Sequence, residues 1–172
     1  MELKKYIREV PDYPKQGINF VDITTLLKEP EALKYVVERI CDFSKGKEIT
    51  KIVSLESRGF IIGGAAAYNL NIGFVPIRKK GKLPAETISE KYELEYGTDI
   101  IEMHIDALNE NDVVLIHDDL LATGGTALAA LNLVKKMNVK EIYFSFIIDL
   151  AFLETSNKKI LSDYETHVLV TY

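Results

Sequence analysis

Positive charge, cysteine and long apolar runs are all scarce in this 172-residue sequence. The formal net charge is −5, which argues against a chain that works mainly on nucleic acid, where a basic surface supplies much of the affinity. Cys41 is the single cysteine, so an internal disulfide is excluded, and its place among apolar helical positions marks it as a small core residue. No stretch approaches the roughly 18 consecutive apolar residues that a membrane span needs. Residues 1–10 are charged and carry no hydrophobic signal core, and no Asn-x-Ser/Thr site occurs. Repeats, low-complexity tracts and obvious linkers are lacking too. These absences set the expectation of a cytoplasmic protein with one domain over 1–172. A hydrophobic share of 47% and a charged share of 27% are ordinary for a chain with a single packed core.

What the sequence does contain is an alternation of strand and helix signals. From Pro30 onward, Leu33, Val36, Val37, Ile40 and Phe43 recur at the spacing of one helix face. Lys51–Leu55 reads as a short buried strand, 60–70 as an alanine-rich helix despite Gly63 and Gly64, and 72–77 as a second strand. That βαβ order favours a parallel sheet. Further along, 113–116 predicts a buried strand, 127–137 a helix with Leu128, Leu131 and Val134 on one side, 141–148 a strand, and Thr166–Thr171 a closing strand. The fold class is α/β with a mainly parallel sheet, in which ligands sit at the carboxyl ends of the strands.

Residues 78–99 break this pattern. They carry Lys79, Lys80, Lys82, Glu86, Glu90, Lys91, Glu93 and Glu95, with few core candidates. A polar stretch of roughly 20 residues inside a compact domain reads either as a functional lid or as an exposed hairpin insertion.

The loop after the 113–116 strand is the most informative. It runs His117-Asp118-Asp119-Leu120-Leu121-Ala122-Thr123-Gly124-Gly125-Thr126 into a helix. Gly124 and Gly125 let the backbone approach an anion, Thr123 and Thr126 offer hydroxyl donors, and the helix N-terminus points free N–H groups at the same spot. The Gly-Lys-Ser/Thr ending of a Walker A loop is missing, as is the Gly-x-Gly-x-x-Gly of a dinucleotide site. Two acids just upstream would repel a bare phosphate. They make sense facing sugar hydroxyls, or a magnesium ion bridging sugar and phosphate. Strand, two acids and a Thr-Gly-Gly-Thr cradle read together as a ribose 5-phosphate site.

The run 113–126 resembles the phosphoribosyl-pyrophosphate signature of the type I phosphoribosyltransferases. Other segments narrow the resemblance to the adenine phosphoribosyltransferases. Pro11-Asp12-Tyr13-Pro14-Lys15-Gln16-Gly17-Ile18-Asn19-Phe20-Val21-Asp22-Ile23-Thr24 is similar to their N-terminal segment, and Glu56-Ser57-Arg58-Gly59-Phe60 to their pyrophosphate loop. Arg78-Lys79-Lys80-Gly81-Lys82-Leu83-Pro84 and Tyr92-Glu93-Leu94-Glu95-Tyr96-Gly97 are similar to the two ends of their catalytic lid. The resemblance implies a mainly parallel sheet flanked by helices, a small N-terminal base-binding hood (1–28) and a flexible lid loop (79–98). It implies purine salvage: 5-phosphoribosyl-1-pyrophosphate and adenine give AMP and pyrophosphate, with magnesium, in a homodimer that has neither nucleic-acid nor membrane partners.

The same resemblance assigns roles. Ala122, Thr123, Gly124, Gly125 and Thr126 would hold the 5-phosphate, and Asp118 and Asp119 the ribose hydroxyls. Ser57 and Arg58 would meet the pyrophosphate, with a non-proline cis peptide between Glu56 and Ser57, and Arg78, Lys79 and Lys82 would add positive charge there. Adenine would lie on Phe20, its amino edge read by the backbone of Asn19, with Arg58 in reach and Leu150 covering the other face. Glu95 would be the catalytic carboxylate, helping the adenine proton leave or stabilising the closed lid. No protein side chain is assigned as a certain magnesium ligand.

Two residues depart from the family pattern. His117 stands where an apolar strand residue is usual, and a hydrogen-bonded structural histidine is the expectation. Val21 replaces a frequent arginine associated with the dimer partner's site. A phosphoribosyltransferase for an oxopurine would be expected to bring a lysine near the strand end at Asp149, and none is apparent in the sequence there. A regulatory protein sensing phosphoribosyl pyrophosphate without catalysis would usually carry a DNA-binding module, for which this chain has no room.

Overall fold

A computed structural model describes residues 1–13, 15–93 and 97–172. The chain opens with a 3₁₀ turn, Leu3–Tyr6, and an antiparallel hairpin of β1 (Arg8–Pro11) and β2 (Asn19–Asp22). Asp22 staples this hood. Its carboxylate accepts from Arg8 Nη2 at 2.5 Å, from the Thr24 hydroxyl at 2.6 Å and from the Thr24 N–H at 3.0 Å. Burial alone would raise the Asp22 carboxyl, but the bonds from Thr24 and Arg8 outweigh it and bring it down to about 2.

After the short α1 (Thr24–Leu27) comes α2 (Pro30–Ser44). Pro30 sits in its first turn, where the missing N–H costs nothing and φ is already helical. Ala32, Val36, Val37 and Ile40 form its buried face, with Leu33, Cys41 and Phe43 packed partly covered at the flanks. The remaining elements are β3 (Lys51–Leu55), α3 (Arg58–Leu70), β4 (Gly73–Lys79), β5 (Thr87–Glu93), β6 (Thr98–His104), β7 (Val113–Leu121), α4 (Gly125–Lys136), β8 (Glu141–Asp149), α5 (Ser156–Leu161) and β9 (Thr166–Thr171).

Seven of these strands form one sheet in the order β5-β6-β4-β3-β7-β8-β9. β3, β4, β7, β8 and β9 run parallel, while β6 pairs antiparallel with β4 and β5 antiparallel with β6. The hood, α2 and α3 pack on one face through Ile40, Ile52, Ile62, Leu115 and Ile147. α4 packs on the other through Val53, Ile116, Leu131, Phe144 and Phe146. Each such fully buried side chain is worth about 1.5–3 kcal/mol of transfer free energy, so the two faces together hold the sheet. The chain changes direction at β3: the next strand, β4, lies on one side and β7 on the other, which opens a crevice at the carboxyl ends of β3 and β7.

Two expectations are corrected. β7 does not stop near 116 but continues to Leu121, so Asp118 and Asp119 are strand residues with a fixed backbone. The stretch 79–98 is not a plain loop: among its described residues Thr87–Glu93 forms β5, which pairs with β6 and extends the sheet edge. Of the two readings of that polar stretch, the hairpin insertion describes its backbone.

Candidate active site

A cavity of about 740 Å³ fills the crevice between β3 and β7. Its floor is the β7–α4 turn, Asp118 to Ala127, and its walls are Phe20 from the hood, Glu56, Ser57 and Arg58 after β3, Lys79 ending β4, and Tyr92 from the edge hairpin. Gly124, at φ +81°, closes the turn as the N-cap of α4, and an L side chain in that conformation would be strained. The first-turn amides of α4 therefore face the floor, which Thr123 and Thr126 also line, an arrangement suited to a phosphate.

The acids sit one step deeper. Asp119, 5% exposed, accepts from Arg58 Nε at 2.5 Å. Burial works against the Arg58 charge, and the Asp119 carboxylate, with Asp118 and Asp22 beyond it, outweighs that and holds the guanidinium above its ordinary value. Asp118 accepts from the N–H of Asp119 at 2.9 Å, and burial together with the Asp119 charge pushes its carboxyl well up. One carboxylate of the pair is thus ion-paired while its neighbour resists ionisation. Arg58 also stands over the Phe20 ring, 5.4 Å from its centroid, and Tyr13 meets that ring edge-on at 5.4 Å. Phe20 is therefore braced on two sides while it lines the cavity. The peptide joining Glu56 to Ser57 is cis.

A phosphoribosyl transferase domain profile matches residues 23–164. The adenine phosphoribosyltransferase of Brachyspira hyodysenteriae is 52% identical over 172 residues, the whole of both chains. The chain belongs to the adenine phosphoribosyltransferase family. Solved structures agree. The Rhodothermus marinus adenine phosphoribosyltransferase superposes with a TM-score of 0.91 at 49% identity, over 99% of this chain and 96% of that one. The Giardia lamblia enzyme, solved with 9-deazaadenine, gives 0.93 at 36% identity over 99% and 96%. The mainly parallel sheet with its N-terminal hairpin is the type I phosphoribosyltransferase fold.

Within that family framework, the cavity brings together Phe20, Ser57, Arg58, Lys79, Asp118, Asp119 and the whole run from Ala122 to Thr126. Arg78 and Lys82 stand just behind Lys79, tied to Glu56 rather than lining the wall. The Asn19 side chain turns away to donate to Glu9 at 2.7 Å. Leu150 is not at the wall: it is 8% exposed and packed in the core on the hood side of the sheet. Glu95 lies outside the described residues. Val21 is buried in the same core, so that position presents no cation to the site. His117 is wholly buried with Nδ1 bonded to the Ser145 carbonyl at 3.0 Å, the structural role expected, although Nε2 has no hydrogen-bond partner among the described residues.

Two neighbours of the site were not legible in the sequence. Tyr92 lines the cavity, and its hydroxyl donates at 3.5 Å to Asp99, which in turn pairs with Lys79 at 3.1 Å. A lysine does reach the strand end at Asp149, contrary to expectation. Lys158, eight residues on from Leu150, donates to Asp149 at 2.6 Å and to the Leu150 carbonyl at 2.6 Å. Its ammonium is engaged by those two oxygens, and the residue does not line the cavity.

Among the described residues no three of His, Cys, Asp and Glu converge as a metal cage. Asp118 and Asp119 are the carboxylates nearest the cradle, and their donor set fits an ion that takes most of its ligands from substrate oxygens. No described helix is long and apolar enough to cross a membrane.

Proposed function

We propose that this chain moves the 5-phosphoribosyl group of 5-phosphoribosyl-1-pyrophosphate to adenine, releasing pyrophosphate and AMP. The observation that carries the reading is one cavity that joins an anion cradle at a helix N-terminus, a carboxylate pair and a braced aromatic face. The amides and hydroxyls of Ala122, Thr123, Gly124, Gly125 and Thr126 hold the 5-phosphate. Asp118 and Asp119 take the ribose hydroxyls, for which the Arg58–Asp119 pair must open or share an oxygen. Ser57, Arg58, Arg78, Lys79 and Lys82 face the pyrophosphate. Adenine stacks on Phe20, with the Asn19 backbone at its edge.

The bond from the anomeric carbon to the pyrophosphate oxygen breaks, the adenine ring nitrogen bonds to that carbon, and adenine gives up its N–H proton. The developing positive charge on the sugar is shielded from water by the cavity walls and by the edge hairpin acting as lid. Glu95 is the carboxylate assigned to the proton. Magnesium bound with the substrate, near Asp118 and Asp119, would neutralise charge on the departing oxygens.

A homodimer belongs to the same reading, supported by apolar side chains left in water on α3, where Tyr68 is 90% exposed and Ile61 is 50% exposed. A cytoplasmic setting belongs to the same reading, supported by Cys41 as a free thiol. Incubation of the purified chain with magnesium, phosphoribosyl pyrophosphate and adenine should form AMP and pyrophosphate in equal amounts. Hydrolysis to ribose 5-phosphate without AMP would overturn the reading.

A further inference from the structure

Glu56 is a carboxylate in a place where an anion site has little use for one. It follows β3 directly, lines the cavity beside Ser57 and Arg58, and its side chain is only 9% exposed. Both of its oxygens are engaged by basic residues. Oε1 accepts from Lys82 Nζ at 2.7 Å, and Oε2 accepts from Arg78 Nε at 3.2 Å and from the Lys79 N–H at 2.9 Å. Burial alone would raise this carboxyl, but the Lys82 and Lys79 donors with the Arg78 charge hold it below its ordinary value. Arg78 is also bonded to the Lys82 carbonyl at 3.3 Å, so the turn that carries Lys82 is tied to the end of β4.

We propose that Glu56 is a positioning residue for the pyrophosphate: it preassembles Arg78, Lys82 and the Lys79 backbone beside the cavity wall that Glu56 and Lys79 line. The inference rests on the reading of Arg78, Lys79 and Lys82 as the pyrophosphate cations. Two long cations held close together repel each other and sample many rotamers, and a shared, buried carboxylate opposes both effects. The leaving group then meets ordered donors, which stabilise developing charge without reorganising.

The competing role for an acid in an anion site is plain repulsion, and the two roles differ in sign. Glu56→Gln keeps the shape, removes the charge and turns an NH₂ toward the cations. Positioning predicts that pyrophosphate binds more weakly; repulsion predicts that it binds more tightly.

The experiment measures KM for phosphoribosyl pyrophosphate, product inhibition by pyrophosphate, KM for adenine, ribose 5-phosphate affinity and melting temperature. The proteins are wild type, Glu56→Gln, Glu56→Asp, Arg78→Ala and Lys82→Ala. In Glu56→Gln, the phosphoribosyl-pyrophosphate KM and the pyrophosphate inhibition constant should each rise about tenfold, with the adenine KM and ribose 5-phosphate affinity within about twofold of wild type. Glu56→Asp should fall between the two, because the charge survives but the reach is one carbon shorter. Tighter or unchanged pyrophosphate inhibition in Glu56→Gln would overturn the proposal. A uniform weakening of all ligands with a lowered melting temperature would also overturn it, by making Glu56 structural. If Arg78→Ala and Lys82→Ala both leave pyrophosphate inhibition at the wild-type value, the cation reading itself fails and the inference falls with it.

Discussion

Asp118 and Asp119 are adjacent in sequence and opposite in behaviour. Asp119 is ion-paired with Arg58 at 2.5 Å, while Asp118 is pushed up by burial and by its neighbour's charge. Asp119→Asn should therefore cut kcat/KM for phosphoribosyl pyrophosphate by about a hundredfold, the loss of one or two charge-assisted bonds. Its effect on melting should be modest, because Arg58 is a third exposed and water can cover what the pair loses. An unchanged kcat/KM would remove Asp119 from the sugar site. One strand turn earlier, His117 couples the same strand to pH. Burial lowers it from 6.5 to about 4, so the folded chain keeps it neutral while the unfolded chain takes up a proton first. Its contribution is complete above pH 6.5 and is lost as pH falls toward 4, amounting to about 3 kcal/mol at the acid end. Unfolding measured by denaturant at several pH values should show this slope in wild type and a flatter one in His117→Asn. Equal slopes would contradict the assignment. The cradle and the acids were legible as residues because their chemistry is written in short contiguous runs, and Phe20 only through the family resemblance. Tyr92 and Lys158 were not, since each reaches the site or its rim from an element whose path the sequence alone does not reveal.

The edge hairpin shows why an element can be missed. From Ile88 onward on β5 the half-buried positions are Ile88, Glu90 and Tyr92, and the exposed ones are Ser89, Lys91 and Glu93. That is a clean alternation of burial, but the inward face carries a glutamate, so the hydrophobic pattern of a strand is broken in the sequence. Glu90 can face inward because α4 supplies its partners: Asn132 donates at 3.0 Å and Lys136 at 2.7 Å. Glu90→Ala should release the hairpin, seen as faster amide hydrogen exchange over 87–93 with α4 protected as before. Unchanged exchange would mean that Ile88 and Tyr92 hold the hairpin without it. The βαβ core was readable for the reverse reason, since β7 opens with the buried apolar run Val113–Ile116, and β3 and β8 carry the shorter buried runs Ile52–Val53 and Phe146–Ile148. Between β3 and α3 the contact is closer than any periodicity reveals. A Cβ on Gly63 would collide with Ser54 Oγ. Gly63→Ala should cost about 1–3 kcal/mol of stability by pushing α3 off the sheet, and a neutral change would show that the helix can shift without strain.

At the scale of the whole molecule, function follows from where the sheet reverses its order. β3 and β7 lie side by side with their following helices on opposite faces, so the loops after them converge on one crevice. The hood adds an aromatic face from the N-terminal side, while Tyr92 of the edge hairpin and Lys79 at the end of β4 come from the other. Sedimentation at micromolar concentration should report twice the chain mass, and a monomer would leave the exposed α3 side chains to another explanation. On this reading the cavity transfers the 5-phosphoribosyl group to adenine and not to another base. The direct measurement is nucleotide formation from phosphoribosyl pyrophosphate and magnesium with adenine, hypoxanthine, guanine, xanthine or uracil in parallel. AMP is expected from adenine, and no product from the oxygenated bases. Preferred turnover of an oxopurine would contradict this reading, leaving the phosphate cradle in place and the base pocket at Phe20 wrong.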